Sequence, residues 1–272
     1  MKQKIDWGLK FLRDVFNLES LHFGYWENIS KIDLENLKIA QKNYIQKLIS
    51  LFPKNVKNVL DVGAGTGEVA KELMSKNYYV ESVSPDSYQK SLFEQKCPTV
   101  KFYLSKFEDL YVPENKKFDL ILMAESCQYL NLDKTFENCK KLLNDQGYIL
   151  ICDYFRKEPV SYYKTTHIWN EVVSKIQKHN FKIIYEEDIT KHILPTLTLG
   201  KNYYEKYALP ILEIISGYLS EKIPVVSKII SFIFHKKIKK LQYYLYTHTK
   251  EKLDKEKFLM YIQYKIVILQ KG

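Results

Sequence analysis

Three glycines fall at alternate positions in the run VLDVGAGTGEVAKEL, residues 59–73: Gly63, Gly65 and Gly67. An apolar strand runs into them and a helix runs out. Glycine has no Cβ, so the turn can be tight and its backbone can approach a bound molecule closely. The helix that follows opens with N–H groups that have no partner inside the helix. The pattern builds a ligand seat beyond the C-terminal end of a strand. The dinucleotide fingerprint requires G-x-G-x-x-G, but here the third glycine comes one residue early. Glu68 takes the sixth place and would face a pyrophosphate badly. No G-K-[ST] follows, so this is not a P-loop. Other groups able to do chemistry sit at later strand ends: Glu125 in MAESCQYL and Asp153 in CDYFR. A carboxylate there, beside a cleft, can have a raised pKa and act as a base. His167 is a second candidate base. Ahead of the first strand, LHFGYWEN (residues 21–28) gathers aromatic rings and a histidine around Gly24.

The elements that position these groups read from the hydrophobic pattern. Strands are expected at 57–62, 78–84, 99–104, 118–124, 148–155, 181–189 and 261–269. Helices are expected at 66–76, 132–144 and 162–179, with Gln146-Gly147 as a turn. FDLILMA (118–124) is nearly continuous in apolar residues, as suits a strand buried on both faces. Alternating strands and helices imply an α/β fold: a doubly wound, mainly parallel seven-stranded sheet. The expected organisation is an N-terminal helical and aromatic cover (1–50), a ligand-binding α/β core (51–190), a helical lid (191–256) and the last core strand (257–272). In the lid, Val226, Ile229, Ile230 and Ile233 fall on one helical face, with the basic run HKKIKK beside them. The lid reads first as the wall of an apolar pocket. A weak membrane or lipid contact and a dimer interface are the other readings.

The bulk numbers exclude some classes. With 272 residues, 46% hydrophobic and 14% aromatic, the chain is globular and can bury a full core. The net charge is +10, but only Arg13 and Arg156 among the 42 basic residues are arginine. Bidentate recognition of bases and phosphates favours arginine, so a lysine-rich solvated surface is expected and nucleic acid is not. The cysteines at 97, 127, 139 and 152 show no zinc spacing, and no metal is expected. Cys127 and Cys152 read as buried thiols. The opening MKQKIDWGLKFLRDVF mixes charge throughout and reads as no signal peptide, so a reducing cytoplasm is expected.

The D-x-G-x-G-x-G pattern resembles the first motif of class I S-adenosylmethionine-dependent methyltransferases. The likeness extends from residue 21 to 270, loosely in the lid. It implies S-adenosyl-L-methionine as cofactor, a ligand without phosphate that tolerates an acidic neighbourhood. By resemblance, Asp61 places the loop and the cofactor's amino group. Ser84 stands where an acidic residue usually meets the ribose, with Asp86 two residues on and Gln89 at a place where a small-molecule branch carries glutamine. In SKFEDL, Lys106 replaces the usual aspartate, while Phe107 would pack on the adenine and the Glu108 backbone would bond it. Glu125 would line the cofactor or acceptor side. Gln128 and Tyr129 replace the histidine pair frequent in that branch. Tyr25 and Trp26 would cover the methionine portion, where ring faces favour a cation, and His22 would face the acceptor. Asp153 and His167 remain the candidate bases. No D/N-P-P-Y/F motif follows the fourth strand, which argues against methylation of nucleic-acid amines. The implied activity is methyl transfer to a small, aromatic or lipophilic acceptor. O-methylation comes first, N- or C-methylation next. The chain is similar to sugar and natural-product O-methyltransferases and, more distantly, to sterol and cyclopropane fatty acid methyltransferases. A lipid- or sterol-type methyltransferase at a membrane surface is one alternative; a non-catalytic, cofactor-binding partner subunit is the other.

Overall fold

A computed structural model describes residues 5–113, 115–224, 236, 239–240 and 243–272. The predicted apolar face at Val226, Ile229, Ile230 and Ile233 lies outside the described residues. The described strands are β1 (Asn58–Val62), β2 (Tyr79–Ser84), β3 (Lys101–Leu104), β4 (Phe118–Ala124), β5 (Leu143–Arg156), β6 (Phe181–Asp188) and β7 (Ile262–Lys271). They form one seven-stranded sheet in the order β3-β2-β1-β4-β5-β7-β6. All pairings are parallel except those of β7, which runs antiparallel to both β5 and β6. The strand order reverses between β1 and β4, the place where ligands sit in open α/β sheets.

Side-chain parity divides the core. Leu120 and Leu122 of β4 point to one face with Leu150 and Cys152 of β5. There they meet Tyr44, Ile45 and Leu48 of α2 (Leu34–Ser50) and Ile193 and Leu197 of α7 (Thr190–Tyr203). Ile121, Met123, Ile149 and Ile151 point to the other face. Their partners are Phe136 and Cys139 of α5 (Leu132–Leu142) and Val172 and Ile176 of α6 (Trp169–Lys178). A strand buried on both sides must be apolar at consecutive positions, which is why β4 carries no alternation.

Two sequence-based boundaries shift. The predicted Gln146-Gly147 turn is absorbed into β5 as a bulge: Phe118 pairs with Leu143, but Leu120 pairs with Tyr148. Gln146 adopts φ 61° there. The helix expected over 162–179 begins only at Trp169, because Arg156 ties down the preceding loop. The Arg156 guanidinium donates to the carbonyls of Thr166 and Val160, and its backbone N–H donates to the carbonyl of His167. All four cysteines are buried free thiols. No helix among the described residues is long and apolar enough to cross a membrane.

Candidate active site

A cavity of about 640 Å³ opens at the C-terminal ends of β1, β2 and β4. That volume falls within the range of about 300–1,000 Å³ usual for small-molecule sites. Gly63 and Gly65 form its floor, Ser84, Gln89 and Phe107 one side, and His22, Phe23, Glu125 and Tyr154 the other.

The glycine loop divides its labour. Gly63 (φ +84°) lies so close to β4's exit that a Cβ would stand 2.4 Å from Ser126 Cβ. Gly65 (φ +51°) faces open space, and its nearest such neighbour is 3.9 Å away. Here the bare backbone leaves room for a ligand. Gly67 (φ +95°) does not line the cavity; its Cβ would press on Phe93 and Cys97, so it serves the packing of α3 (Glu68–Ser75) against α4 (Ser87–Lys96). Asp61 is buried behind the loop, and its Oδ2 has no hydrogen-bond partner. Burial raises its pKa to about 7. An orphaned buried acceptor beside an open glycine cradle suits a ligand that brings its own N–H donor.

At the β2 end, the Ser84 hydroxyl lies 3.4 Å from Gln89 Oε1. Asp86 caps α4, its Oδ1 accepting the N–H groups of Tyr88 and Gln89. Phe107 is buried and lines the cavity with Lys106 and Glu108. The Glu108 carboxylate accepts the N–H of Asn131 at 3.0 Å.

Glu125 is the central group. It leaves β4 at φ 56°, a left-handed conformation that costs a residue with a Cβ and persists only where its surroundings enforce it. Its Oε1 accepts the Tyr264 hydroxyl at 2.6 Å and the Phe23 N–H at 2.6 Å. Tyr264 in turn lies 3.3 Å from the Tyr44 hydroxyl. Burial raises the Glu125 pKa to about 8, against the opposing pull of those two donors.

His22 stacks on Tyr44, ring centroids 4.6 Å apart. Its Nδ1 lies 2.8 Å from the Phe23 carbonyl, which can only accept, so Nδ1 carries the proton. Nε2 is then a lone pair, and it is buried without a partner. Burial lowers the His22 pKa to about 4, so the ring is neutral near pH 7.

Besides Gly67, four predicted site residues fall away from the cavity. Tyr25 and Trp26 do not cover the cavity. Tyr25 is buried against His192, rings 4.6 Å apart. The Trp26 indole N–H donates to Thr196 Oγ1 at 2.8 Å. Gly24 explains the offset: a Cβ would lie 2.6 Å from Ala40 Cβ, so residues 24–26 are pressed between α2 and α7. The residues just before them, Leu21, His22 and Phe23, line the cavity instead. Asp153 is not on the wall either. It shares a face of β5 with Ile149 and Ile151, while its neighbour Tyr154 takes the cavity face. Its carboxylate accepts the N–H groups of Gln128 and Tyr154, both at 2.9 Å, and burial raises its pKa to about 7. His167 Nε2 donates to the carbonyls of Leu130 at 3.0 Å and Cys127 at 3.2 Å. Both groups brace the turn Cys127–Tyr129, and neither lines the cavity. Tyr264 and Tyr44 were not anticipated, since nothing local sets them apart among 22 tyrosines. The histidine of the aromatic leader and the ES dipeptide were the legible signals.

A doubly wound sheet of this strand order, with a glycine loop and a cavity at its reversal point, matches the class I methyltransferase fold. A methyltransferase-domain family model matches residues 37–184, more than half of the chain, and the chain belongs to that family. Its curated relatives include an uncharacterized methyltransferase of Alkaliphilus oremlandii, 25% identical over 122 residues, covering 44% of this chain and 52% of that protein. Another from Oceanobacillus iheyensis is 21% identical over 189 residues, covering 67% and 83%. The chain spans about half the length of the first curated relatives it matches. Among solved structures, the [4+2]-cyclase SpnF superposes with a TM-score of 0.69 at 16% identity, covering 97% of this chain and 92% of the other. The geranyl diphosphate C-methyltransferase of Streptomyces coelicolor, solved with Mg2+, geranyl diphosphate and S-adenosylhomocysteine, gives 0.67 at 13%, covering 96% and 93%. At such identities the likeness shows the fold.

Proposed function

We propose that this chain binds S-adenosylmethionine in the cavity and methylates a small, aromatic or lipophilic acceptor, at oxygen in the first instance. One observation carries the reading: a desolvated carboxyl, Glu125, and a neutral imidazole, His22, line the same cavity as the open glycine cradle. The residues that would hold the cofactor are Gly63, Gly65, Ser84, Gln89 and Phe107, with Asp61 behind the loop. When bound, the cofactor supplies an electrophilic methyl group on a sulfonium.

The chain's own residues do the rest. Phe23, Tyr129, Tyr154 and Leu130 give the acceptor end an apolar, aromatic wall, which favours a lipophilic guest and excludes water. His22 Nε2 accepts a hydrogen bond from the acceptor's O–H or N–H and so orients it. Glu125 takes the proton. It does so as the carboxylate, which a pKa near 8 leaves the minor form at pH 7, so turnover should rise with pH through about 8; His22, with a pKa near 4, would not retain the proton. This assigns the base to Glu125 in place of Asp153 and His167.

Calorimetry with S-adenosylhomocysteine tests the cofactor, and a methyl-acceptance screen of phenols, amines and prenyl or fatty compounds tests the acceptor. Binding of S-adenosylhomocysteine is expected in wild type and in Glu125→Gln, with turnover only in the former. No binding of either S-adenosylmethionine or S-adenosylhomocysteine sinks the reading.

A further inference from the structure

The helix α8 (Leu209–Lys222) buries no residue. It follows α7 through the turn Tyr204–Ala208 and carries an unusual stripe. Ile211, Ile214, Ile215, Tyr218 and Leu219 sit at i, i+3, i+4, i+7 and i+8, the spacing of one helical face. Their exposures are 53, 70, 51, 62 and 43%. In an ordinary surface helix that stripe is the side turned into the core. Here it is turned outward. Contiguous exposed apolar faces of this kind mark an interaction site.

The surroundings choose the occupant. Residues 201–252 hold ten lysines against four glutamates, so most of the chain's +10 charge sits in this segment. Lys206, Lys222, Lys236, Lys239 and Lys240 are exposed. The same stretch of sequence carries exposed tyrosines: Tyr207, Tyr243 and Tyr246 are 44, 59 and 41% exposed. Tyrosine places an apolar ring and a polar tip across a water–hydrocarbon boundary. An exposed apolar helical face within a stretch of sequence rich in exposed lysines and tyrosines matches an anionic bilayer surface, the stripe entering the acyl boundary and the lysines meeting the headgroups. A second copy of the chain would bring a like-charged segment against this one, which disfavours self-association through it.

We infer that the outward face of α8 is a docking surface for an anionic lipid bilayer, on which the protein lies without spanning it. The surface stands on its own features and not on the methyl-transfer reading. It fits that reading, because α7, which leads into α8, holds the leader beside the cavity: Thr196 Oγ1 accepts both the Gly24 N–H and the Trp26 indole N–H.

Vesicle flotation of the full chain tests this, with phosphatidylcholine alone and with one-third phosphatidylglycerol. Binding to the anionic vesicles is expected, weakening as salt rises and at least tenfold poorer with phosphatidylcholine alone. Ile214→Asp should lower it at least tenfold while the melting temperature and S-adenosylhomocysteine affinity stay at wild type. Lys239→Glu with Lys240→Glu should lower it several-fold without touching the stripe. Failure to bind anionic vesicles, or wild-type binding by Ile214→Asp, overturns the inference. So does a wild-type dimer in sedimentation equilibrium that Ile214→Asp splits into monomers, because the stripe would then pair two copies.

Discussion

Replacing Glu125 by glutamine should stabilise this protein while ending its turnover. The carboxyl has an ordinary value of 4.5 and a folded value raised to about 8 by burial. Between those two values the folded protein keeps a proton that the unfolded chain has released. Stability therefore falls as pH rises through that window, and levels off above it. At 1.36 kcal/mol per unit, holding the neutral form at pH 7 costs the fold about 3 kcal/mol relative to a freely ionising glutamate. Glutamine is the neutral isostere. Its side-chain carbonyl can still accept from Tyr264 and Phe23, and it has nothing to ionise. Asp61 and Asp153, also raised to about 7, slope the same way. Asp61 cancels in the difference, and Asp153 cancels apart from its charge coupling to Glu125, which is the smallest of the causes acting on that carboxyl. Urea unfolding of wild type and Glu125→Gln at pH 5 and pH 8 measures that difference. The variant should gain about 3 kcal/mol on wild type between the two pH values. A gap that stays constant would show that Glu125 is not held neutral by the fold, and the assignment of the base would go with it.

The other predictions separate ligand seat from scaffold. Gly63→Ala should cost about 1–3 kcal/mol of stability in a thermal melt, because its Cβ would meet Ser126 at a φ no alanine favours. Gly65→Ala should cost only about 1–2 kcal/mol, yet weaken S-adenosylhomocysteine binding in calorimetry by at least tenfold, since its Cβ would enter the cradle. Tyr25→Ala should lower stability by about 3–5 kcal/mol through loss of a buried ring, with S-adenosylhomocysteine affinity unchanged in whatever folds. Asp153→Asn should cost about 1–3 kcal/mol, because an amide cannot accept from both Gln128 and Tyr154 as the carboxylate does; kcat at saturating acceptor should stay within a few-fold of wild type.

Gly63 and Tyr25 also mark how far the sequence could be read. The sheet was legible because its pattern is local: a continuous apolar run at β4, a glycine loop after β1, and strands alternating with helices all follow from neighbours along the chain. The antiparallel placement of β7 between β5 and β6 is set by pairing across the molecule and leaves no local trace. The same division holds at the site. Gly63 and Gly65 were visible from spacing, but Gly67 turned out to serve packing, because only the fold brings Phe93 and Cys97 beneath it. Asp153 and Tyr154 are adjacent, and a strand sends adjacent side chains to opposite faces. A motif names the strand end, while the parity of the strand decides which of two neighbours sees the ligand. Here the register of β5 gives the cavity to Tyr154 and the braced turn to Asp153. In the leader the offset is three residues. Gly24 allows the chain to press against Ala40, which drives Tyr25 and Trp26 into the packing between α2 and α7 and leaves His22 and Phe23 over the cavity. The Phe23 N–H then holds Glu125 in place. On the proposed reading the aromatic leader acts on the chemistry through one backbone hydrogen bond and one imidazole, and its largest rings are the anchor that positions both.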